Sequence, residues 1–316
     1  MEYLILIVSL AGIVFGADFL VAGAVSIARR FKVSDFVIGA AIVGVGTSMP
    51  ELVVSFIGAL QGNSDVAIGN VVGSNIFNIL GILGLTAVFF PVAIDRKNMK
   101  FEIPLCIGVS VLLTLLAFNF FNGTPAVISR PDGIILLAVF VGFMWYSFYR
   151  DRKEAAMTED VSYEEKTSLG LAVIKVVGGL ALLITSCDFF VDNAVLIAKS
   201  FGVNDAFISL TLIACGTSLP ELAASIAAAV KKNTQLALGN IVGSNIFNIS
   251  LILGVSSQVM PLTSAGITFM DYMVMIAAAF IPLLFGIKAK IGRVGGAFMF
   301  LCFIAYTWYL ISNQIA

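Results

Sequence analysis

Residues 46–52 read GTSMPEL, and residues 216–222 read GTSLPEL. The first stretch is followed by GNVVGSNIFNI at 69–79, and the second by GNIVGSNIFNI at 239–249. The repeated letters include Thr, Ser, Pro, Glu and Asn, so chance similarity between apolar segments does not explain them. The chain therefore contains a duplication, and each copy carries both motifs.

The duplication extends beyond the two motifs. The stretches 39–84 and 209–254 align without gaps at a constant offset of 170, and 23 of their 46 positions are identical. The same offset places Asp18 on Asp188. Equivalent residues of the two copies therefore differ in number by 170.

The rest of the chain has the composition of a membrane protein. Of its 316 residues, 59% are hydrophobic and 12% are charged, whereas a soluble domain is about half apolar and about a quarter charged. Ten apolar runs are long enough to cross a bilayer, and they must be helices because lipid cannot satisfy backbone polar groups. The predicted spans are 3–28, 36–60, 66–90, 101–120, 133–148, 169–198, 206–230, 236–260, 270–287 and 294–311.

Basic residues mark one side of the membrane. The loops after odd-numbered spans contain fifteen Lys and Arg residues, and the loops after even-numbered spans contain two, Arg130 and Lys199. The positive-inside rule places the loops after odd-numbered spans in the cytoplasm. We therefore expect a multi-pass protein of the cell membrane, with both termini outside and the linker from Arg150 to Lys166 in the cytoplasm.

This linker separates two halves of five spans each. The predicted division is a first repeat at 1–150, a cytoplasmic linker at 151–167 and a second repeat at 168–316. An odd number of spans makes the second half enter the membrane in the opposite orientation. The predicted fold class is an all-α membrane protein with ten transmembrane helices as two inverted-topology five-helix repeats. Secondary transporters use this arrangement, with the binding site at the repeat interface.

The repeated glutamates are the strongest functional signal. Glu51 and Glu221 lie within apolar spans, where a carboxylate is costly and by default indicates a functional site. A structural ion pair would need a basic partner at the same depth, and nearly every Lys and Arg lies in a loop. We therefore interpret both glutamates as parts of a cation site.

Each glutamate follows a proline that interrupts its helix. Pro50 and Pro220 lack an N–H group, so the carbonyl groups of Gly46 and Gly216 lose their helical partners. The second motif adds two polar pairs spaced i, i+4 on one helical face, Ser74 with Asn78 and Ser244 with Asn248. Carbonyl, hydroxyl, amide and carboxylate oxygens are the donors that Ca2+ prefers.

The two motif pairs resemble the α-repeats of the Ca2+/cation antiporter superfamily, specifically its prokaryotic Na+/Ca2+ exchanger branch. The resemblance covers essentially the whole chain and implies that Ca2+ and Na+ share the glutamate pair. It also implies alternating access in which the first and sixth spans move past a fixed core. The implied ligands are Glu51, Glu221, Thr47, Ser48, Thr217, Ser218, Ser74, Ser244, Asn78 and Asn248, with backbone carbonyls near Gly44 and Ala214. Some prokaryotic members have Asp where this chain has Asn248.

The expected function is antiport of Na+ against Ca2+, with no covalent catalysis and no cofactor. The alternatives are a Ca2+/H+ antiporter, an exchanger for another divalent cation, and a cation channel, which an inverted repeat within one chain disfavours. A net charge of −1 disfavours nucleic acid, and the absence of histidine argues against a histidine proton relay or a typical zinc site. The expected partners are the transported cations and the lipid bilayer, and no protein partner is evident.

Overall fold

The computed structural model describes residues 2–118, 127–155, 167–201, 214–263, 267–287 and 289–315. These residues form long helices and four two-residue strands. The helices are α1 Glu2–Phe31, α2 Asp35–Thr47, α3 Met49–Leu60, α4 Ser64–Phe89, α5 Asn98–Ala117, α6 Arg130–Ala155, α7 Leu169–Ser200, α8 Leu219–Val230, α9 Thr234–Val259, α10 Phe269–Gly286 and α11 Arg293–Ile315.

Nine of the ten predicted spans correspond to helices of the described residues, although residues 119–120 of the fourth span lie outside them. Within the described residues, eight helices are long and apolar enough to cross a membrane, and α2 with α3 makes a ninth crossing bent by 48°. The predicted seventh span is described only from a short turn, Ala214–Gly216, through α8. Residues 206–213 of that span lie outside the described residues.

Helix α6 enters the segment that the sequence assigns to the cytoplasmic linker, 151–167. It continues to Ala155, and Asp151 is buried, with its carboxylate accepting from Ser34 N at 2.9 Å and from Ser34 Oγ at 2.5 Å. The first residues of the predicted linker are therefore held against the start of α2. Residues 156–166, the remainder of the linker but for Thr167, lie outside the described residues.

Helices α4 and α9 form the centre of the molecule. Every residue of α9 from Leu236 to Phe247 is buried. Helix α2 packs directly on α9 because glycine removes the side chain at the contact: a Cβ added to Gly39 would lie 3.0 Å from Asn240 N. Close approach of this kind is how transmembrane helices associate when lipid is as apolar as their side chains.

Helices α1 and α7 pack against each other through a second set of glycines. A Cβ on Gly16 would lie 2.7 Å from Leu183 N, and one on Gly179 would lie 2.6 Å from Leu20 N. Both helices carry exposed apolar side chains on their outer faces, as expected of a lipid-facing pair. These two helices are the first and sixth spans of the sequence prediction.

The two repeats build the same local structures. Asn63 caps α4 by accepting from Val66 N at 3.3 Å, and its equivalent Asn233 caps α9 by accepting from Leu236 N at 3.1 Å. Outside the helices, β1 (Val92–Ala93) pairs antiparallel with β4 (Lys290–Ile291), and β2 (Val127–Ile128) pairs antiparallel with β3 (Leu262–Thr263). Strands β1 and β3 are equivalent, so each repeat pairs one strand with the other repeat.

Candidate cation site

Both glutamates stand at the start of a helix that follows a break. Ser48 separates α2 from α3 with φ −83° and ψ 10°, and Ser218 precedes α8 with φ −91° and ψ 7°. A proline occupies the second position of each new helix, where its missing N–H costs nothing. Glu51 and Glu221 lie in the first turns, where the helix dipole favours a negative charge.

Each carboxylate is held by the serine of the opposite repeat. Ser48 Oγ donates to Glu221 Oε1 at 2.6 Å, and Ser218 Oγ donates to Glu51 Oε1 at 2.8 Å. Both glutamates are fully buried. The second oxygen of each carboxylate, Oε2, has no hydrogen-bond partner in the part of the chain that the structure describes.

A third glutamate is buried in the described part of the chain, and it has a basic partner, although its Oε2 also lacks a hydrogen bond. Glu102, near the start of α5, is fully buried and forms an ion pair with Arg150 of α6. The Arg150 guanidinium also lies over the rings of Phe101 and Tyr146, at 5.6 and 5.9 Å from their centroids. Glu51 and Glu221 are instead held by serine hydroxyl groups.

Asparagines of the second motif support the two broken helices. Asn70 Nδ2 donates to the Glu51 carbonyl oxygen at 3.1 Å and to Ser55 Oγ at 3.0 Å. In the other repeat, Asn240 Nδ2 donates to the Glu221 carbonyl at 3.2 Å and to Ser225 Oγ at 2.8 Å. These bonds fix α3 on α4 and α8 on α9 beside the carboxylates. Sequence reasoning assigned these four residues no role, although all four are identical between the repeats.

The predicted threonines contact the same asparagines across the repeat interface. Thr47 Oγ1 donates to Asn240 Oδ1 at 3.3 Å, and Thr217 Oγ1 donates to Asn70 Oδ1 at 3.5 Å. Thr47 is fully buried and Thr217 is partly exposed. Thr47 Oγ1 also lies 3.4 Å from the Gly44 carbonyl oxygen of its own repeat, which is a second acceptor for its hydroxyl group.

The serines of the second motif lie next to the helix breaks. Ser218 Oγ is 3.2 Å from Ser74 Oγ, and Ser244 Oγ donates to the Gly44 carbonyl at 3.3 Å. Ser48 N at 3.1 Å and Thr47 Oγ1 at 3.4 Å also contact the Gly44 carbonyl oxygen, so this oxygen already has three possible donors. The backbone of Ala214 belongs to the short turn before the break at Ser218.

Four buried side-chain amides meet where α4 and α9 cross, and we call them the asparagine quartet: Asn75, Asn78, Asn245 and Asn248. Asn75 Nδ2 donates to the Asn245 carbonyl at 3.2 Å, and Asn245 Nδ2 donates to the Asn75 carbonyl at 3.1 Å. Asn78 Nδ2 donates to Asn245 Oδ1 at 3.0 Å, and Asn248 Nδ2 donates to Asn75 Oδ1 at 3.2 Å. These reciprocal bonds are related by two-fold symmetry between the repeats.

Nine buried side-chain polar atoms have no hydrogen-bond partner among the described residues, and four of them are carboxylate or amide oxygens of the two repeated motifs: Glu51 Oε2, Glu221 Oε2, Asn78 Oδ1 and Asn248 Oδ1. Nearly all buried polar groups in proteins have a partner, so unpartnered acceptors need an explanation. A cation supplies one, since it binds oxygen atoms and needs no proton. The arrangement can therefore hold hard cations between two carboxylates and two amides.

The similarity to known proteins extends over nearly the entire chain. Residues 1–149 and 171–312 match the family described as Sodium/calcium exchanger protein. A relative named Putative antiporter CaxA, from Alkalimonas amylolytica, is 40% identical over 97% of this chain and 98% of its own length. Sodium/calcium exchanger MaX1, from Methanosarcina acetivorans, is 31% identical over 96% of this chain and 97% of its own.

A solved structure has the same fold. The sodium-calcium exchanger NCX_Mj, soaked with zero Na+ and Ca2+, aligns with a TM-score of 0.83 and 30% identity, covering 98% of both chains. The fold class predicted from the sequence is thereby confirmed: an all-α membrane protein with ten transmembrane helices in two inverted five-helix repeats. The family match and the relatives together show that this multi-pass chain is a membrane antiporter of the sodium/calcium exchanger protein family.

Proposed function

We propose that this antiporter exchanges Na+ for Ca2+ across the cell membrane by alternating access, with Glu51 and Glu221 as the shared carboxylates. The observation that carries the proposal is the set of four buried, unpartnered carboxylate and amide oxygens on motif residues that are related by the repeat. Packing alone would leave these acceptors unsatisfied, at a cost of about 1–3 kcal/mol each. Cations bound by these oxygens would relieve that cost.

The charge of the site favours exchange of the two ions over their movement together. Two ionised carboxylates carry a charge of about −2, which one Ca2+ neutralises. Several Na+ ions would compete for the same oxygens, since the ions repel one another strongly at low dielectric. The relative MaX1 is named a sodium/calcium exchanger, and NCX_Mj is a sodium-calcium exchanger studied with Na+, Ca2+ and Sr2+.

The proposed ligands are carboxylate, amide and hydroxyl residues of the two repeated motifs. Glu51, Glu221, Asn78 and Asn248 have oxygens ready to bind, and the hydroxyl groups near them can rotate their protons away from an ion. Gly44 and Ala214 stay predictions as carbonyl ligands. The hydroxyl residues of the proposed set are Thr47, Ser48, Ser74, Thr217, Ser218 and Ser244.

Coupling to Na+ rather than to H+ is the finer part of the proposal. The quartet positions 78 and 248 are both Asn, which does not titrate near neutral pH, and the chain has no histidine. Proton coupling would therefore depend on the two glutamates alone. Ca2+ uptake into proteoliposomes should follow an outwardly directed Na+ gradient and should move net charge. Uptake that follows a pH gradient and ignores Na+ would favour the Ca2+/H+ alternative.

The central test removes one charge at a time. Glu51→Gln and Glu221→Gln keep the side-chain size and the hydrogen bond from the opposite serine. A lost charge contributes several kcal/mol even at an effective dielectric of about 20, and about 1.4 kcal/mol already changes affinity tenfold. We therefore expect Ca2+ transport by purified, reconstituted protein to nearly vanish in both variants.

Asp18→Asn is the matched control for these variants. It also neutralises an acidic side chain within a span, but Asp18 pairs with Lys231 and lies outside the cation site. Exchange should stay within a few-fold of that of the unchanged protein. Near-normal Ca2+ exchange by well-folded Glu51→Gln or Glu221→Gln would rule out the paired-carboxylate site.

A further inference from the structure

Asparagine is an ambiguous ligand because the two ends of its amide have opposite character. Its Oδ1 attracts a cation, whereas its Nδ2 carries two protons and repels one. A half-turn of the amide exchanges these atoms with almost no change in shape. Asn78 and Asn248 therefore supply oxygen to an ion only if their amides are held in one orientation.

The backbone fixes the orientation of the Asn78 amide through Asn245. The Asn75 carbonyl can only accept, so the atom of Asn245 that contacts it at 3.1 Å must be Nδ2. The Oδ1 of Asn245 then accepts from Asn78 Nδ2 at 3.0 Å. This leaves Asn78 Oδ1 buried with no donor among the described residues. Because a carbonyl cannot donate, a half-turn of either amide would break this series of two hydrogen bonds, from Asn78 to Asn245 and from Asn245 to the Asn75 carbonyl.

A second series of two hydrogen bonds, the repeat equivalent of the first, orients the Asn248 amide. The Asn245 carbonyl accepts from Asn75 Nδ2 at 3.2 Å, and Asn75 Oδ1 accepts from Asn248 Nδ2 at 3.2 Å. Asn248 Oδ1 is again left without a partner in the described part of the chain. All four side chains are at most 2% exposed, so water does not compete for these bonds.

We infer that Asn75 and Asn245 are positioning residues that hold the oxygens of Asn78 and Asn248, and not their nitrogens, toward the transported ion. The inference rests on the proposed function, in which Asn78 and Asn248 are ligands. The Oδ1 of Asn75 and the Oδ1 of Asn245 are both occupied by the partner amides. These two residues therefore act through their neighbours and are not ligands themselves.

A carboxylate at position 78 tests the positioning role, because both of its terminal atoms are oxygens and either orientation presents oxygen to the ion. Asn245→Leu keeps a similar size and removes the series that holds Asn78. The half-saturating Ca2+ concentration, measured with reconstituted full-length protein, should rise about tenfold, the effect of roughly 1.4 kcal/mol. Adding Asn78→Asp to Asn245→Leu should recover most of the lost affinity.

The same Asn78→Asp change in the otherwise unchanged protein separates orientation from added charge. There the new carboxylate faces Asn245 Oδ1, so two acceptors are set against each other and no gain in Ca2+ affinity is expected. The effect of Asn78→Asp should therefore be about tenfold more favourable beside Asn245→Leu than alone. Asn98→Leu removes a buried amide whose Oδ1 accepts from Asp95 N at 2.9 Å, away from the quartet, and it should leave Ca2+ affinity unchanged.

The outcomes distinguish this inference from the proposed function. Asn78→Leu tests the ligand itself, and unchanged affinity in that variant would remove Asn78 from the proposed site. If Asn78→Leu weakens binding but Asn245→Leu does not, only the positioning role is wrong. A defect in Asn245→Leu that Asn78→Asp leaves uncorrected also overturns that role. If Asn245→Leu fails to fold, Asn75→Leu with Asn248→Asp provides the equivalent measurement.

Discussion

The residue contacts cross from one repeat to the other. Ser48 donates to Glu221 and Ser218 donates to Glu51, so each carboxylate depends on the opposite half of the chain. A hydrogen bond to a charged group contributes about 1.5–3 kcal/mol. The energetic partner of each serine should therefore be the distant glutamate and not the one three residues away.

A double-mutant cycle measures this coupling. Ser48→Ala combined with Glu221→Gln should be less damaging to Ca2+ affinity than the sum of the two single changes, with a coupling energy of about 1 kcal/mol or more. Ser48→Ala combined with Glu51→Gln is the matched control and should be closer to additive. Equal coupling in the two cycles would mean that the observed hydrogen bond does not govern ion binding.

Sequence reasoning identified most of the residues at this site but not their contacts. Glu51 and Glu221 are conspicuous because carboxylates are rare in apolar spans. The constant offset shows which residues are equivalent, but equivalence does not say which residues touch. The crossed pairing of Ser48 with Glu221 depends on how α2 and α8 meet in space. The roles of Ser55 and Ser225 depend likewise on the packing of α3 on α4 and of α8 on α9.

At the scale of elements, an ion pair between Lys231 and Asp18 joins α1 to the second repeat. Lys231, just after α8, contacts Asp18 Oδ1 at 2.6 Å and donates to the Asp18 carbonyl at 2.9 Å. The repeat equivalents of these residues are Gln61 and Asp188, which cannot form an ion pair. The family resemblance implies that α1 and α7 move during transport. The ion pair should therefore stabilise one access state, and its repeat equivalents provide no such ion pair for the other state.

Lys231→Gln gives both repeats the same residue at this position. The ion pair is partly exposed, so its loss should cost at most about 1 kcal/mol and shift the ratio of the two access states up to about fivefold. In oriented vesicles, the apparent Ca2+ affinities measured from the two sides should change in opposite directions. Gln61→Lys, which offers Asp188 a partner, should have the reverse effect. Equal changes on both sides would contradict this role.

The element prediction was accurate where hydropathy decides and incomplete where irregular backbone decides. The bend at Ser48 follows from Pro50, and the structure confirms a broken second span. Hydropathy did not predict the π-helical turns at Gly39–Gly44 and Phe77–Leu83, because one extra residue per turn leaves an apolar run unchanged. The continuation of α6 to Ala155 was also missed, since its stabilising contact from Asp151 to Ser34 joins distant parts of the sequence.

For the whole molecule, the charge distribution predicts the orientation. We expect both termini outside and the segment between α6 and α7 in the cytoplasm. A cysteine introduced at Ser312 should react with a membrane-impermeant maleimide on intact cells, and one at Glu159 should react only after the membrane is opened. The four native cysteines should first be replaced to remove background labelling. Labelling at Glu159 but not at Ser312 would reverse the orientation.

The proposed division into two repeats predicts complementation. Residues 1–155 and 167–316, expressed as separate chains, should restore Na+-driven Ca2+ uptake only when both are present. Neither chain alone contains the serine that its own glutamate requires. Uptake by either fragment alone would show that one repeat suffices.

The reciprocal serine–glutamate bonds also bear on ancestry. A single ancestral gene that encoded one five-helix unit would have met the same requirement only if copies of its product were inserted in both orientations and then paired. Duplication and fusion would place the two orientations in one polypeptide. Afterwards each copy was free to acquire its own charges, and Lys231 opposite Gln61 records one such divergence. Selection could then act on the inner and outer faces of the transporter separately.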